Sequence, residues 1–178
     1  MEPTVAVERL DAGAARDHRD ALAAVLTDCV DGGASVSFMA PFSLGQARDY
    51  FESVEPEVAA GSRVLLAAFL EDELVGTVQV VAAWPPNQPH RADVTKLLVR
   101  RSARKRGIGQ RLMARAEVEA RNQGWTLLVL DTVTGDDAER LYTRLGWTRV
   151  GVIPDWAVLP SGDLAGNAFY FLRLANSD

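Results

Sequence analysis

The feature that most restricts the fold is the junction between an apolar strand and an amphipathic helix within residues 94–123. The strand ends at Val99, and the loop that follows closes on two glycines, Gly107 and Gly109, where the helix begins. The first N–H groups of a helix lack partners, and the helix dipole places partial positive charge there. Glycine has no Cβ, so a phosphate can approach the backbone closely. The junction therefore suits an anion such as a pyrophosphate.

The cations of the chain are concentrated at this junction. Residues 100–115 contain 7 of the 19 lysines and arginines, although the formal net charge is -5. Cations at a helix start oppose the helix dipole, so a purely structural loop gains nothing from them. An ordinary junction with a solvated helix start is the alternative interpretation. The charge pattern favours an anion site, and the G-x-x-x-x-G-K-[ST] and G-x-G-x-x-G motifs of nucleotide-binding folds are absent here.

Length and composition indicate one globular domain over residues 1–178. A chain of this length with 48% apolar residues buries roughly 70% of its unfolded surface. The acidic balance argues against a nucleic-acid binder, and without a signal sequence or an apolar run of about 18 residues we expect neither secretion nor a membrane span. The single cysteine, Cys29, forms no internal disulfide, which fits a reducing, cytoplasmic location.

Hydrophobic periodicity predicts seven strands and four helices in the order β-α-α-β-β-β-α-β-α-β-β. The predicted helices span 17–29, 43–53, 108–123 and 136–145, and the second is expected to end near Pro56. The predicted strands span 4–10, 64–70, 74–81, 93–99, 127–130, 148–153 and 169–174. Because residues 127–130 are uniformly apolar, we expect their strand inside the sheet. The order implies an α+β domain in which helices cover a mixed sheet.

Two motifs resemble those of the GNAT superfamily of N-acetyltransferases. Residues 104–109 match R/Q-x-x-G-x-G/A between a fourth strand and a third helix. Residues 138–147 resemble A-x-x-L-Y-x-x-x-G-F, with Trp147 in place of Phe. The motifs lie in the family's order, and the resemblance covers nearly the whole chain. It looks closest to tabtoxin-resistance acetyltransferases, through segments 32–40, 96–97, 130–132 and 147–151.

The resemblance implies a GNAT fold with a mixed, mostly antiparallel sheet of six or seven strands, helices on both faces and a splay between strands 4 and 5. It also implies acetyl-CoA as co-substrate, with the pantetheine arm lying in the splay against Leu97, Leu98 and Val99. The pyrophosphate is expected on the backbone of Arg104, Lys105, Arg106, Gly107, Ile108 and Gly109, joined by Gln110. Gly135 stands where many relatives carry an Asn, so any contact of that Asn with the cofactor must be lost or replaced.

The resemblance also suggests roles in the transfer step, which requires a neutral amine, a polarised thioester carbonyl and a proton for the thiolate. Tyr142 is the candidate acid, because the family places this Tyr near the sulfur; core packing is its structural alternative. Asp131 and Asp93 are candidate bases at the ends of neighbouring strands. If these strands are parallel, the two carboxylates lie towards opposite ends, so only one is expected to reach the amine. The alternative is that turn amides satisfy both.

The acceptor pocket is expected between the first two helices, their loop and the turn between the last strands, with Ser35, Phe38, Met39 and Trp156 as substrate-binding residues. Loop packing is the alternative for each. We predict an acetyl-CoA-dependent N-acetyltransferase without a metal, acting on a small amine such as an amino acid, an amino-acid-like toxin or an antibiotic. A carboxylate beside the pocket favours a cationic acceptor. A non-catalytic acyl-CoA-binding module and a protein or peptide N-acetyltransferase are alternatives, and the predictions allow a homodimer.

Overall fold

In the computed structural model, which describes residues 4–175, one sheet of seven strands is flanked by five α-helices. The strands are β1 Val5–Leu10, β2 Arg63–Leu70, β3 Glu73–Ala82, β4 Arg91–Val99, β5 Leu127–Val133, β6 Thr148–Val158 and β7 Leu164–Arg173. The helices are α1 Ala12–Asp17, α2 Arg19–Asp31, α3 Leu44–Ala60, α4 Ile108–Asn122 and α5 Asp137–Arg144. The strand order is β1-β2-β3-β4-β5-β7-β6.

The sheet is antiparallel except between β4 and β5, which α4 connects in a parallel crossover. These two strands pair only where Arg91–Asp93 of β4 lie beside Leu127–Val129 of β5, and they separate beyond that point. On the other side of β5, β7 pairs with it along its whole length. The predicted mixed, mostly antiparallel sheet with an opening between strands 4 and 5 is confirmed, and β5 lies inside the sheet as expected.

Two apolar cores lie on opposite faces of the sheet, which confirms the predicted helices on both faces. Residues of β2 alternate between them: Val64 and Leu66 face the core beneath α4, whereas Leu65 and Ala67 face the core beneath α2 and α3. Since both faces of β2 are buried, its sequence is continuously apolar instead of alternating.

Two predictions of helix bounds are wrong. The helix predicted over 17–29 corresponds to α2, which spans Arg19–Asp31, and a short helix that was not predicted, α1, precedes it. The two helices meet at His18, where the backbone leaves the helical conformation. Asp11 caps the start of α1, because its side chain accepts a hydrogen bond from the Ala14 N–H at 2.8 Å.

The second helix, α3, continues through Pro56 to a left-handed cap at Gly61. A proline within a helix leaves the carbonyl four residues earlier without its usual donor. That residue is Glu52, which is exposed, so water can satisfy the carbonyl. Val58, beyond the proline, still packs on the core beneath α2 and α3. Packing of this apolar face outweighs the lost hydrogen bond.

Gly76 of β3 allows α4 to lie close against the sheet. A Cβ at this position would lie 2.9 Å from the Leu98 carbonyl oxygen and 3.2 Å from Leu112 Cδ1 of α4. The first is a backbone atom that cannot move away without disturbing β4. The absence of a side chain at Gly76 therefore sets the distance from α4 to the sheet and positions the helix start.

No helix within residues 4–175 is long and apolar enough to cross a membrane.

We expect Gly76→Ala to lower the free energy of unfolding by about 1–3 kcal/mol, because the added methyl group overpacks this contact. Urea denaturation followed by circular dichroism measures the change. The matched control is Gly45→Ala in the exposed first turn of α3, where a Cβ would meet nothing nearer than 3.7 Å. That variant should match the wild type or exceed it by less than about 1 kcal/mol. Equal stability of the two variants would contradict the packing role of Gly76.

Candidate active site

A groove of about 1100 Å³ opens where β4 and β5 separate. Most of its walls come from five parts of the chain, namely residues 34–37 before α3, residues 93–99 of β4, residues 103–110 at the start of α4, residues 130–133 of β5 and residues 136–144 in and just before α5. Most of the predicted site residues therefore lie around one cavity.

At one end of the groove, the start of α4 presents unpaired N–H groups. Arg104 donates its backbone N–H to the Arg101 carbonyl, whereas within residues 4–175 no protein acceptor binds the backbone N–H groups from Lys105 to Gln110. Gly107 is the N-cap in a left-handed conformation (φ 73°), and a Cβ there would point into open space. These donors fit the predicted anion site.

The side chains around these N–H groups do not all serve the groove. Arg104 and Lys105 line it, but Arg106 lies beside the acidic turn Glu71–Glu73. Gly109 has a packing role: a Cβ on it would lie 3.3 Å from Leu141 Cδ2 of α5. Of the two glycines, Gly107 is the one that leaves space on the side of the anion.

Beyond Asp93, no strand in the described part of the chain pairs with the edge of β4 that faces β5. Leu97, Leu98 and Val99 line the groove here, so this edge can pair with an extended ligand. Cys29 lies behind it, with its sulfur 3.5 Å from the Val99 carbonyl oxygen. Burial raises the pKa of the Cys29 thiol, so the thiol stays protonated and belongs to the core.

Tyr142 of α5 lines the groove with a ring that is only 6% exposed and packs near Trp147 and Tyr170. Its hydroxyl forms no hydrogen bond to another protein group among residues 4–175. Burial raises the pKa of this hydroxyl well above its usual value, and the carboxylates of Asp136 and Asp131 raise it further. Tyr142 therefore stays protonated at neutral pH and can donate a proton.

Both candidate carboxylates line the groove, but their surroundings differ. Asp93 lies at the last paired position of β4, and Arg91 donates a hydrogen bond to it at 2.9 Å. Asp131 lies two residues past Val129, the last residue of β5 that pairs with β4. It is exposed and accepts a hydrogen bond from Asn167 Nδ2 at 2.7 Å. The strands are parallel, as the expectation assumed, but Asp93 pairs with Val129, so Asp131 lies only two residues further along the groove and the two carboxylates are not at opposite ends of the strand pair.

Of the four predicted acceptor residues, Ser35 lines the groove. Phe38 packs against Phe42, with ring centroids 4.5 Å apart. Met39 is 47% exposed, and Trp156 stacks edge-on against Phe169 while remaining 50% exposed. Phe38, Met39 and Trp156 are not among the residues that line the groove.

The sequence analysis missed Tyr50, Arg63 and Lys96, which line the groove from three separate elements. Tyr50 donates a hydrogen bond to Gln79 Oε1 at 2.9 Å, and Arg63 donates to the same oxygen. The Gln79 Nε2 is buried without a partner among the described residues. Two features of the sequence could have pointed to these residues. Gln79 is a polar residue in a largely apolar strand, and Lys96 is one of only two lysines in a chain with 19 lysines and arginines.

Gly135, where many relatives carry an Asn, has a left-handed backbone (φ 81°), and its N–H donates to Glu139 Oε2 at 2.7 Å. Glycine thus favours the turn that starts α5. Gly135 does not line the groove.

The model of the acetyltransferase (GNAT) family matches residues 34–147. An uncharacterized N-acetyltransferase from the hisH-hisA intergenic region of Azospirillum brasilense is 31% identical over 129 residues, which is 71% of this chain and 74% of the relative. The fold also matches an N-acetyltransferase from Staphylococcus aureus Mu50 with a TM-score of 0.81 at 18% identity, covering 97% of this chain and 99% of the other.

A putative acetyltransferase, YncA, from Salmonella typhimurium, solved with its cofactor acetyl-CoA, matches with a TM-score of 0.78 at 17% identity, covering 97% of this chain and 95% of the other. The family match and the curated relative show that the chain is an acyltransferase. The chain belongs to the GNAT family of N-acetyltransferases, with acetyl-CoA as co-substrate. The closer resemblance to tabtoxin-resistance enzymes stays a prediction.

The groove fits acetyl-CoA on two observations. The unpaired N–H groups of residues 105–110 match the phosphate oxygens, and the open edge of β4 matches the amides of the pantetheine arm. The predicted assignment of Leu97–Val99 and of the α4 start to the cofactor is therefore compatible with the geometry.

We expect Gly107→Leu to weaken acetyl-CoA binding at least tenfold, because the side chain would project into the space over the N–H groups. Isothermal titration calorimetry measures the affinity. The matched control is Gly124→Leu, at the other end of α4, where the backbone is also left-handed (φ 83°) and the Cβ also meets open space. Both variants should lose about 1 kcal/mol of stability from backbone strain. Unchanged affinity in Gly107→Leu would place the phosphate site elsewhere.

Proposed function

We propose that this N-acetyltransferase acetylates the primary amine of a small molecule by direct attack within the groove. The observation that carries the proposal is the arrangement of a protonated Tyr142 hydroxyl, an exposed Asp131 carboxylate and an anion-binding helix start around one cavity. Bound acetyl-CoA supplies the acetyl group as a thioester. The remaining requirements are a neutral amine and a proton for the leaving sulfur, which side chains of this chain can meet.

Tyr142 would provide the proton. As the amine nitrogen bonds to the carbonyl carbon and the carbon–sulfur bond breaks, the hydroxyl of Tyr142 would transfer its proton to the thiolate sulfur. Its raised pKa keeps it protonated until charge develops on the sulfur. The apolar surroundings of its ring, which include Trp147, limit the access of competing water.

Asp131 would bind the incoming ammonium and accept a proton from it, directly or through a water molecule. Asp131 raises the pKa of both Tyr142 and Lys96, so its carboxylate lies within electrostatic range of both groups. Asp93 lies where the strands are still paired, and Arg91 neutralises it. These contacts favour Asp131 for the amine and a structural role for Asp93 at the start of the splay.

We expect Tyr142→Phe to lower kcat at least a hundredfold while acetyl-CoA affinity changes less than twofold, because only the proton donor is removed. Release of the coenzyme A thiol measures the rate. The control is Tyr170→Phe, which removes a neighbouring buried hydroxyl that donates to Glu139 outside the groove. Wild-type kcat in Tyr142→Phe would exclude this residue as the acid.

Asp131→Asn should lower kcat/KM for the amine at least tenfold, and the loss should shrink as the pH rises and the free amine becomes neutral by itself. Asp93→Asn is the matched comparison, since it also removes one negative charge from the groove wall, and we expect a change of less than threefold. The pH dependence of kcat/KM separates the two variants. The reverse order of effects would assign the base to Asp93.

A thiol-release screen with amino acids, polyamines, aminoglycosides and β-lactam amino acids tests the function as a whole. Release with one of these classes supports small-molecule acetylation. Binding of acetyl-CoA without release for any amine favours a non-catalytic acyl-CoA-binding module. Release only with peptides favours a protein or peptide N-acetyltransferase.

A cytoplasmic location and a role in resistance to a toxin or antibiotic are part of the proposal, and the role in resistance depends on the acceptor.

The homodimer also stays a prediction. The surface we expect it to use is the β6–β7 hairpin at the sheet edge, which exposes apolar side chains: Val150, Val152, Ile153, Trp156, Val158 and Leu164.

A further inference from the structure

Lys96 lies at a bulge in β4, where the strand leaves regular pairing with β3. On β3, Thr77 and Gln79 are two residues apart. Their partners on β4, Leu98 and Thr95, are three residues apart, so β4 carries one extra residue in this stretch. Lys96 lies within this bulge and has a left-handed backbone (φ 55°), a conformation that residues other than glycine rarely adopt. Such bulges redirect a side chain, and here Lys96 lines the groove.

The ammonium group of Lys96 has few partners. Its Nζ lies 3.3 Å from Ser37 Oγ, and the ring centroids of Phe38 and Tyr50 lie 5.7 and 5.8 Å away. No carboxylate among residues 4–175 lies within 4.0 Å of it. The aromatic faces attract a cation, but they do not replace a counter-ion.

A second cation, Arg63, lies on the same wall of the groove and is already paired. Its guanidinium bonds Glu57 Oε2 at 2.9 Å and also donates to Gln79. Burial lowers the pKa of Lys96, Arg63 lowers it further, and Asp131 opposes both. A partly desolvated cation beside another cation costs free energy, which an anionic ligand would offset.

We propose that Lys96 binds a carboxylate of the acceptor, so that the acceptor is an amino acid or a closely related molecule with an amine and an anionic group a few bonds apart. This inference rests on the proposed function, because it assigns the amine to Asp131 and the carboxylate to Lys96 within the same groove. A zwitterion matches both charges, whereas a polyamine or an aminoglycoside would place a further cation near Lys96.

Two readouts test this assignment. The first is calorimetric binding of N-acetyl amino acids and of the corresponding N-acetyl amino-acid amides to the protein loaded with coenzyme A, which needs no turnover. The second is kcat/KM for amino acids against their amides. In the wild type we expect each acid to be favoured over its amide by about tenfold or more, the range of a charge-assisted hydrogen bond.

Lys96→Met keeps the length of the side chain and should reduce this preference to less than about twofold, mainly by weakening the acids. Lys96→Arg keeps the charge and should restore part of the preference. The control is Arg48→Met, which also removes one cation but from the exposed face of α3, where Arg48 pairs with Asp20 at 2.7 Å. It should keep the wild-type preference.

Several results would overturn the inference. One is equal binding of acids and amides by the wild type. Another is an equal loss for acids and amides in Lys96→Met, which would assign Lys96 to the thioester oxygen or to structure. Rapid acetylation of amines without a carboxylate, at rates that match the acids, would leave the proposed function standing and reject this inference. If acids bind in a Lys96-dependent way but no amine is acetylated, the role of Lys96 stands and the proposed function is rejected.

Discussion

The separation of β4 from β5 beyond Asp93 is the constraint on which the site depends. Paired strands would satisfy each other's backbone groups and leave no space between them. Because the pairing stops after three residues, the edge of β4 becomes available to an extended ligand, and side chains from both walls face one groove. The parallel crossover through α4 brings the helix start to the same opening.

Packing elsewhere holds this opening in place. The face of α4 is buried against the sheet through Ile108, Leu112 and Met113, and its approach requires the bare backbone of Gly76. Glu119, almost fully buried on the same helix, accepts hydrogen bonds from Arg9 at 3.0 Å and Arg115 at 2.8 Å. A rigid α4 keeps its unpaired N–H groups aimed at the groove, so ligand binding need not order them first.

The groove contains both signs of charge, which changes the expectation for the acceptor. From the sequence, a carboxylate beside the pocket favoured a cationic amine. The structure adds Lys96 and Arg63, contributed by β4 and β2, and of these two only Arg63 has a carboxylate partner among residues 4–175. If Asp131 and Lys96 act as proposed, selection of the acceptor depends on the position of two opposite charges as well as on the size of the groove.

The sequence by itself determined the features that depend on neighbouring residues: the glycine-containing helix start, the motif around Tyr142 and the order of strands and helices except for the short α1. It misjudged α3, because an exposed proline can be tolerated when the apolar face on both sides of it is buried. Only the tertiary structure decided where β4 and β5 separate and that Tyr50, Arg63 and Lys96 meet. Those contacts join residues far apart in the chain, and the bulge that turns Lys96 into the groove depends on pairing with β3, which local periodicity does not reveal.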